Sequence, residues 1–431
     1  MKVDFMRFVD KWAGILLCFV LSGINTCLKP LFRRTSAEEV RKIAIVQISE
    51  RGAVLLAHSA LVKLKELFPQ SELYYVIFEE MEESIRMLNS VPEENIFTIK
   101  AESLWSFLVS TLQVIGAVRK EKVDAVLDLE LFSRISTIVS YLSGAPIRVG
   151  FDRFHMEGLY RGALQTHRVG YNHLKHISYN FLSLAYALKE DPKNTPLSKI
   201  KARAEDIRLP ALSSTRDEEE RMLEKLRSFC PEISRDKKLV VINPNGSDLL
   251  PLRRWPMDNY IGLARKLLEH PSLYIAITGS SSEKKDAAAI CNALRNRRCI
   301  NLAGETTFRE LVDLYNLSDL LVSNDSGPPN LASITNTRTL VFFGPETPVC
   351  YKPLGDNVEA LYANFFCSPC VSAYNHRKSA CRDNRCLKVI TVDYVFKKIT
   401  EMLPALKVNP APEDLVRDHN HPAQEEMIHG S

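Results

Sequence analysis

Two hydrophobic rhythms alternate along most of this chain. Short, nearly continuous apolar runs are followed by longer stretches in which apolar residues return every three or four positions. The runs at residues 42–49, 73–78, 96–99, 124–129 and 147–150 predict buried strands. Between them, residues 54–68, 81–88, 104–119 and 133–142 have helical spacing, the first through Val54, Leu55, Ala57, Leu61, Leu64 and Leu67. A helix over 177–188 leads into a Pro-, Lys- and Asn-containing link at 190–201, and the same alternation resumes. Strands are predicted at 238–242, 273–277, 299–302, 320–322 and 339–343, with helices at 217–227, 258–269, 283–295, 307–317 and 395–403. Strands that alternate with helices of this length predict an α/β protein with parallel sheets. The link divides it into two Rossmann-like, doubly wound domains, residues 42–200 and 205–405, facing each other across a cleft.

Three stretches break the rhythm. Residues 12–28 contain no charged side chain, and basic residues flank them more heavily on the C-terminal side. Residues 1–35 are therefore expected to associate with a membrane, with the main body in the cytoplasm. A secretory signal and a helix lying in the membrane plane are the alternatives. Residues 151–176 are dense in His, Arg and aromatic side chains and predict a surface loop region able to meet a phosphorylated or sugar ligand. The tail, 407–431, is rich in Pro, Asp, Glu and His and predicts disorder.

In open α/β sheets ligands bind where strands end and helices begin, and free amides at helix starts attract anions. Four such turns carry polar residues: Ser49–Ala53, Asn243–Ser247, Gly279–Glu283 and Asn324–Gly327. The last follows an apolar strand and precedes a Pro-started helix; a second apolar run then ends in Gly344-Pro345. A net charge of +4 is too weak to require a nucleic-acid partner, and 45% hydrophobic with 25% charged residues fits a soluble globular body.

These turns carry a resemblance. Asp325, Ser326, Gly327 and Ala332, followed by Gly344, Pro345 and Pro348, resemble the (D/N)-(S/T)-G-x-x-H-x-A and F-G-P-x-x-P signatures of glycosyltransferase family 9, the lipopolysaccharide heptosyltransferases. Asn330 stands where most members have His. Asn243-Pro-Asn-Gly-Ser247 resembles the family's phosphate turn, Arg253-Arg-Trp-Pro256 its K-x-W-P, and Gly279–Glu283 its G-x-x-x-E. The resemblance covers residues 42–400 and implies a GT-B fold and an inverting glycosyl transfer with no required cofactor. It implies a nucleotide-sugar donor, ADP-heptose, held by Asn245, Gly246, Ser247, Arg253, Glu283, Asp325, Ser326, Gly327 and Asn330. It also implies a lipid-linked saccharide acceptor at the cytoplasmic face of the inner membrane. The turn at Ser49 resembles S-x-x-G-D, whose Asp is regarded as the general base; here that position is Ala53, which cannot take a proton. Glu50 and His58 are the nearest substitutes, with Asp128 and Glu130 after the fourth predicted strand as others. Two alternatives remain: a GT-B enzyme using another nucleotide sugar, and a non-catalytic, membrane-associated nucleotide-binding protein, which Ala53 would suit.

Ten cysteines are present. Six are scattered, and Cys367, Cys370, Cys381 and Cys386 form a C-x2-C-x10-C-x4-C cluster. Four thiolates at such spacing suit tetrahedral zinc; two disulfides are the alternative, disfavoured in a cytoplasmic setting.

Overall fold

The structure, a computed structural model, describes residues 3–28, 37–48, 51–153, 159–195, 197–246, 250–375 and 377–404. Glu50, Ser247 and the tail 407–431 lie outside the described residues. The N-terminal half contains α1 (Val3–Leu28), β1 (Lys42–Val46), α2 (Arg51–Leu67), β2 (Glu72–Phe78), α3 (Glu82–Leu88), β3 (Ile96–Ile99), α4 (Leu104–Glu121), β4 (Ala125–Asp128), α5 (Arg134–Leu142), β5 (Ile147–Asp152), β6 (His167–Gly170) and α6 (Ile177–Ala187). The C-terminal half contains α7 (Arg216–Phe229), β7 (Lys238–Asn243), α8 (Met257–Leu268), β8 (Leu273–Ile277), α9 (Lys284–Leu294), β9 (Cys299–Asn301), α10 (Phe308–Leu317), β10 (Leu320–Asn324), α11 (Gly327–Ala332), β11 (Arg338–Phe343), α12 (Pro348–Tyr351), β12 (Val358–Tyr362), α13 (Arg385–Lys388) and α14 (Val392–Met402).

Each half has one six-stranded sheet with parallel pairing: β3-β2-β1-β4-β5-β6 and β12-β11-β10-β7-β8-β9. Read from its other end, the second order repeats the first, with β7 in the place of β1. The strands read as continuous apolar runs because both faces are covered, and successive side chains serve different cores. Ile43 and Ile45 join a cluster with α2 and α6, while Ala44 and Val46 join one with α4. In the second sheet Leu239 and Val241 belong to the first of these same clusters, and Val240 and Ile242 to another. One apolar cluster thus runs from a face of the first sheet to a face of the second, through α2, α6, α7, α10 and α11.

A polar and aromatic clasp closes the junction beside this cluster. The Tyr171 and Tyr351 hydroxyls are 3.2 Å apart, and Tyr374 packs against both Phe132 and Tyr171 with ring centroids 5.8 Å apart in each case. His176 Nε2 lies 2.9 Å from the Lys352 carbonyl, while its Nδ1 accepts from the Ser178 amide at 3.3 Å. A neutral ring protonated on Nε2 satisfies both contacts.

The 151–176 stretch departs from the predicted loop. It contributes β6, and Arg161 within it is buried against Asp128 at the end of β4. The sequence pattern hides this because an Arg in a His- and aromatic-rich segment gives no sign of a buried counter-charge. β12 also goes unpredicted; only two of its five positions are buried, so its apolar run is weak.

Burial pushes the His176 pKa down from 6.5 to about 4. The unfolded chain therefore takes up this proton first as pH falls, and stability from this site drops between about pH 6.5 and 4, by up to about 3 kcal/mol. His176→Gln is expected to flatten that part of the acid limb in a comparison of thermal midpoints from pH 7 to 4.5; an unchanged slope would exclude His176 as its source.

Candidate active site

The polar turns of both halves fall at topological switch points, between β1 and β4 and between β7 and β10, where chain connections leave in opposite directions. In the second half Asn324, the last residue of β10, fixes the crevice. Its Nδ2 donates to the carbonyls of Pro244 at 2.7 Å and Asn245 at 3.1 Å, and its Oδ1 accepts from the Trp255 amide at 2.8 Å. Trp255 stacks on Phe342 at 4.5 Å and donates its indole N–H to the Ile390 carbonyl. The R-R-W-P segment is thereby pinned to the sheet, and Arg253 enters the crevice on a short 3-10 turn, Pro251–Arg253.

Arg253 meets carboxylates there. Its Nη2 lies 2.7 Å from Glu346 Oε2, and its Nε 3.5 Å from Asp325 Oδ2. Glu346 also pairs with Arg377 at 3.3 Å. Arg253, Asp325 and Glu346 are all buried. Opposite charges lie side by side in this dry setting, which offsets the cost of burying them. Asn245 is buried, and its Nδ2 reaches the Thr278 carbonyl at 3.4 Å. The Gly246 carbonyl accepts two bonds from Arg254. The structure therefore brings Asn245, Gly246, Arg253 and Asp325 together.

Other predicted residues have local duties. Ser326 N-caps α11 with its hydroxyl turned to the Asn324 carbonyl, and Gly327 opens the helix with no atom within 4 Å of where a Cβ would stand. Asn330 is buried and donates to the Ser326 carbonyl at 3.1 Å. It lies against α2: a Cβ on Gly52 would come within 2.8 Å of Asn330 Nδ2. Gly52, the neighbour of Ala53, thus packs on Asn330 across the junction. Glu283 closes a capping box with Ser280, accepting from its amide at 2.7 Å and its hydroxyl at 2.8 Å.

The candidate bases separate. His58 is half-buried on α2 and faces the Ser90 hydroxyl at 3.4 Å; burial lowers its pKa. Asp128 is fully buried and held by Arg161, Ser136 and Thr137, so it is no base for a ligand in the cleft. Glu130 stands at the switch point, with Oε1 accepting from the Ile48 amide at 2.7 Å.

The zinc expected at the four cysteines is not supported. Among the described residues no group of three or more His, Cys, Asp or Glu is gathered to hold a metal ion. All four are free thiols: Cys381 donates to the Asp383 carbonyl, and Cys370 accepts from Ser379. Burial, then the neighbouring thiols, push Cys386 up to about 11. Regular spacing brought the thiols near one another without aiming them at a common point.

Glu346 and Arg377 were missed by sequence reasoning. Glu346 was visible only as a variable position in G-P-x-x-P, and Arg377 lies between Cys370 and Cys381, where only the thiols suggested chemistry.

Two Rossmann-like halves joined through a common core, with the polar turns at strand ends, give the chain a GT-B architecture. The profile described as Glycosyltransferase family 9 (heptosyltransferase) matches residues 111–380, and the chain belongs to that family. It is 33% identical to lipooligosaccharide heptosyltransferase 2 of Haemophilus influenzae over 114 residues, 26% of this chain and 33% of that one. It is 26% identical to lipooligosaccharide heptosyltransferase 2 of Haemophilus ducreyi over 320 residues, 73% of this chain and 86% of the other. The matches therefore span from a third to under nine-tenths of these relatives. The structure of Escherichia coli ADP-heptose LPS heptosyltransferase II superposes with a TM-score of 0.65 at 20% identity, covering 84% of this chain and 99% of that one.

Glu346→Gln would remove the carboxylate that the buried Arg253 shares with the half-buried Arg377. Removing one partner of a buried ion pair costs about 3–5 kcal/mol. The variant is expected to melt lower in buffer and to recover part of the loss in excess pyrophosphate, whose charge replaces the missing one. Equal losses with and without pyrophosphate would show that the anion does not reach Arg253.

Proposed function

We propose that this protein transfers heptose, with inversion, from ADP-heptose to a lipid-linked saccharide of the lipopolysaccharide core, at the cytoplasmic face of the inner membrane. The observation that carries the reading is the buried Arg253 at the β7/β10 switch point, beside Asp325 and the Asn245–Gly246 turn. The heptosyltransferase relatives and the ADP-heptose enzyme with the same fold support the donor. The apolar, basic-flanked N-terminal stretch supports the membrane setting.

In this reading an acceptor hydroxyl attacks the anomeric carbon from the side opposite the diphosphate, and ADP leaves. Charge that develops on the leaving diphosphate is met by Arg253, a bidentate donor, and by strand-end amides already in place. Arg253 must turn from Asp325 and Glu346 to the phosphate as the donor enters; Arg377 keeps Glu346 neutralised. With Ala53 unable to act, Glu130 takes the acceptor proton from the end of β4. Glu283, Ser326, Gly327 and Asn330 complete the donor side, and His58 borders the acceptor side. Ala53 favours one other reading, a donor-binding protein without turnover.

ADP at 100 times its dissociation constant is expected to stabilise the protein by about 2.7 kcal/mol. UDP and GDP should do less, and Arg253→Ala should abolish the response. Selectivity for UDP or GDP would discard heptose as the donor. Glu130→Gln, which can still accept from Ile48, should cut turnover by roughly 10²–10⁴ while ADP still binds; ADP binding with no transfer in the wild type would favour the second reading.

A further inference from the structure

We propose that α1 does not cross the bilayer: it lies along the membrane surface, and the outward side of α4 lies there with it, forming one face seated on anionic lipid. This deepens the membrane setting proposed above, and its test needs no turnover.

The inward side of α1 is built into the protein. Asp10 Oδ1 accepts from the amides of Arg134 and Ile135, both at 2.9 Å, and Oδ2 pairs with the buried Arg134 guanidinium at 3.3 Å. A carboxylate there complements the helix dipole of α5 and satisfies amides that have no partner within the helix. Further along, Ser22 accepts from the Ala163 amide at 2.7 Å, and Asn25 donates to the Ala163 carbonyl at 3.0 Å. Cys18 between them is fully buried. The opposing backbone is shaped for this contact: Gly162 has φ +71°, and a Cβ on it would come within 2.7 Å of the Cys18 carbonyl. From Asp10 to Asn25 the helix is therefore docked over four turns. A spanning α1 would have to leave α5, expose the buried Arg134 and carry Asp10 and Asn25 without partners, at a cost lipid does not return.

The outward side is apolar. Phe8, Trp12, Leu16 and Phe19 recur at helical spacing and are each 60% or more exposed. α4 presents Trp105 and Leu112 in the same way, with relative exposures of 76% and 66%. The two helices cover the same side of the first sheet. α4 packs on Ala44, Val46 and Val76, α1 overlies α5, and Met6 enters the cluster that contains Phe107 of α4. Their exposed side chains must therefore point away from that sheet face, opposite the cluster shared with the second half. Thirteen of the 21 exposed large hydrophobic side chains among the described residues belong to α1 or α4. Scattered exposed leucines mean little, but a concentration of this kind marks an interaction surface.

Charge and shape identify the occupant. Residues 1–35 hold six Lys or Arg against two Asp. The Lys11 ammonium lies 5.2 Å from the Trp12 ring centre, so a cation accompanies the apolar row. Beside α1 a groove of about 580 Å³ has Phe19 and Val20 on one wall and Arg153, Tyr160 and Arg168 on another. Aromatic and aliphatic side chains flanked by Lys and Arg are the composition of helices that lie in the interface of anionic membranes.

The full chain is mixed with vesicles of phosphatidylethanolamine and phosphatidylglycerol containing brominated acyl chains. Trp12 and Trp105 are exposed and Trp255 is buried, so quenching reports the proposed face. Tight binding is expected, with release by alkaline carbonate and a quenched component that disappears in Trp105→Phe. Replacing phosphatidylglycerol by phosphatidylcholine should weaken binding at least tenfold, as should the double variant Trp105→Asp, Leu112→Asp. The double variant should keep its ADP-induced thermal shift, which separates loss of docking from loss of fold. Carbonate-resistant binding with Trp105 unquenched would mean a spanning helix and overturn the proposal. So would a concentration-dependent dimer, broken by Trp105→Asp, in a chain that ignores vesicles.

Discussion

The structure depends on one continuous apolar cluster that belongs to both halves. In each sheet alternate side chains point to opposite faces, and one face of each sheet feeds this cluster. Burial of such surface contributes roughly 25 cal/mol per Å² without regard to direction, so the cluster alone would let the halves slide. The directional contacts around it restrict this: α2 packs on α11, and the Tyr171, His176 and Tyr374 clasp joins the halves beside them. The first turn of α2 and the helix α11 are thereby adjacent. Gly52 and Asn330 touch for this reason.

That adjacency recasts the two departures from the family signature. Seen singly, Ala53 removes an acid and Asn330 removes an imidazole. Seen together, they belong to two helices that pack on each other, and the contact between those helices is made by Gly52, the neighbour of Ala53, with Asn330. Of the two acids at the end of β4, Asp128 is held by Arg161 and Glu130 lies beside Ile48.

The sequence shows the fold well because a parallel sheet covered on both faces produces apolar runs too long and too regular to mistake. It shows the polar turns because each is an interruption of an apolar run at a strand end. It does not show Glu346, Arg377 or Arg161, since a buried ion pair is made by partners distant in sequence: 93 positions separate Arg253 from Glu346, and 33 separate Asp128 from Arg161. Residues 151–176 were misjudged on the same ground, because composition reported charge and could not report its counter-charge. The cysteine cluster failed in the opposite way. Spacing brought four sulfurs close, but the direction of each thiol is set by local carbonyl and hydroxyl partners that spacing does not encode.

Arg253, Arg377, Asp325 and Glu346 sum to no net charge, two arginines against two carboxylates. A crevice lined by a single sign of charge draws its ligand from a distance and loses that pull as salt screens it. A balanced one does neither. Under the proposed function, a dianionic nucleotide would not be steered here by these four groups; it would arrive by diffusion and be recognised only on contact, when one arginine exchanges partners. Its rate of capture at this site should owe little to ionic strength, and its residence should be set by how readily the displaced carboxylates return.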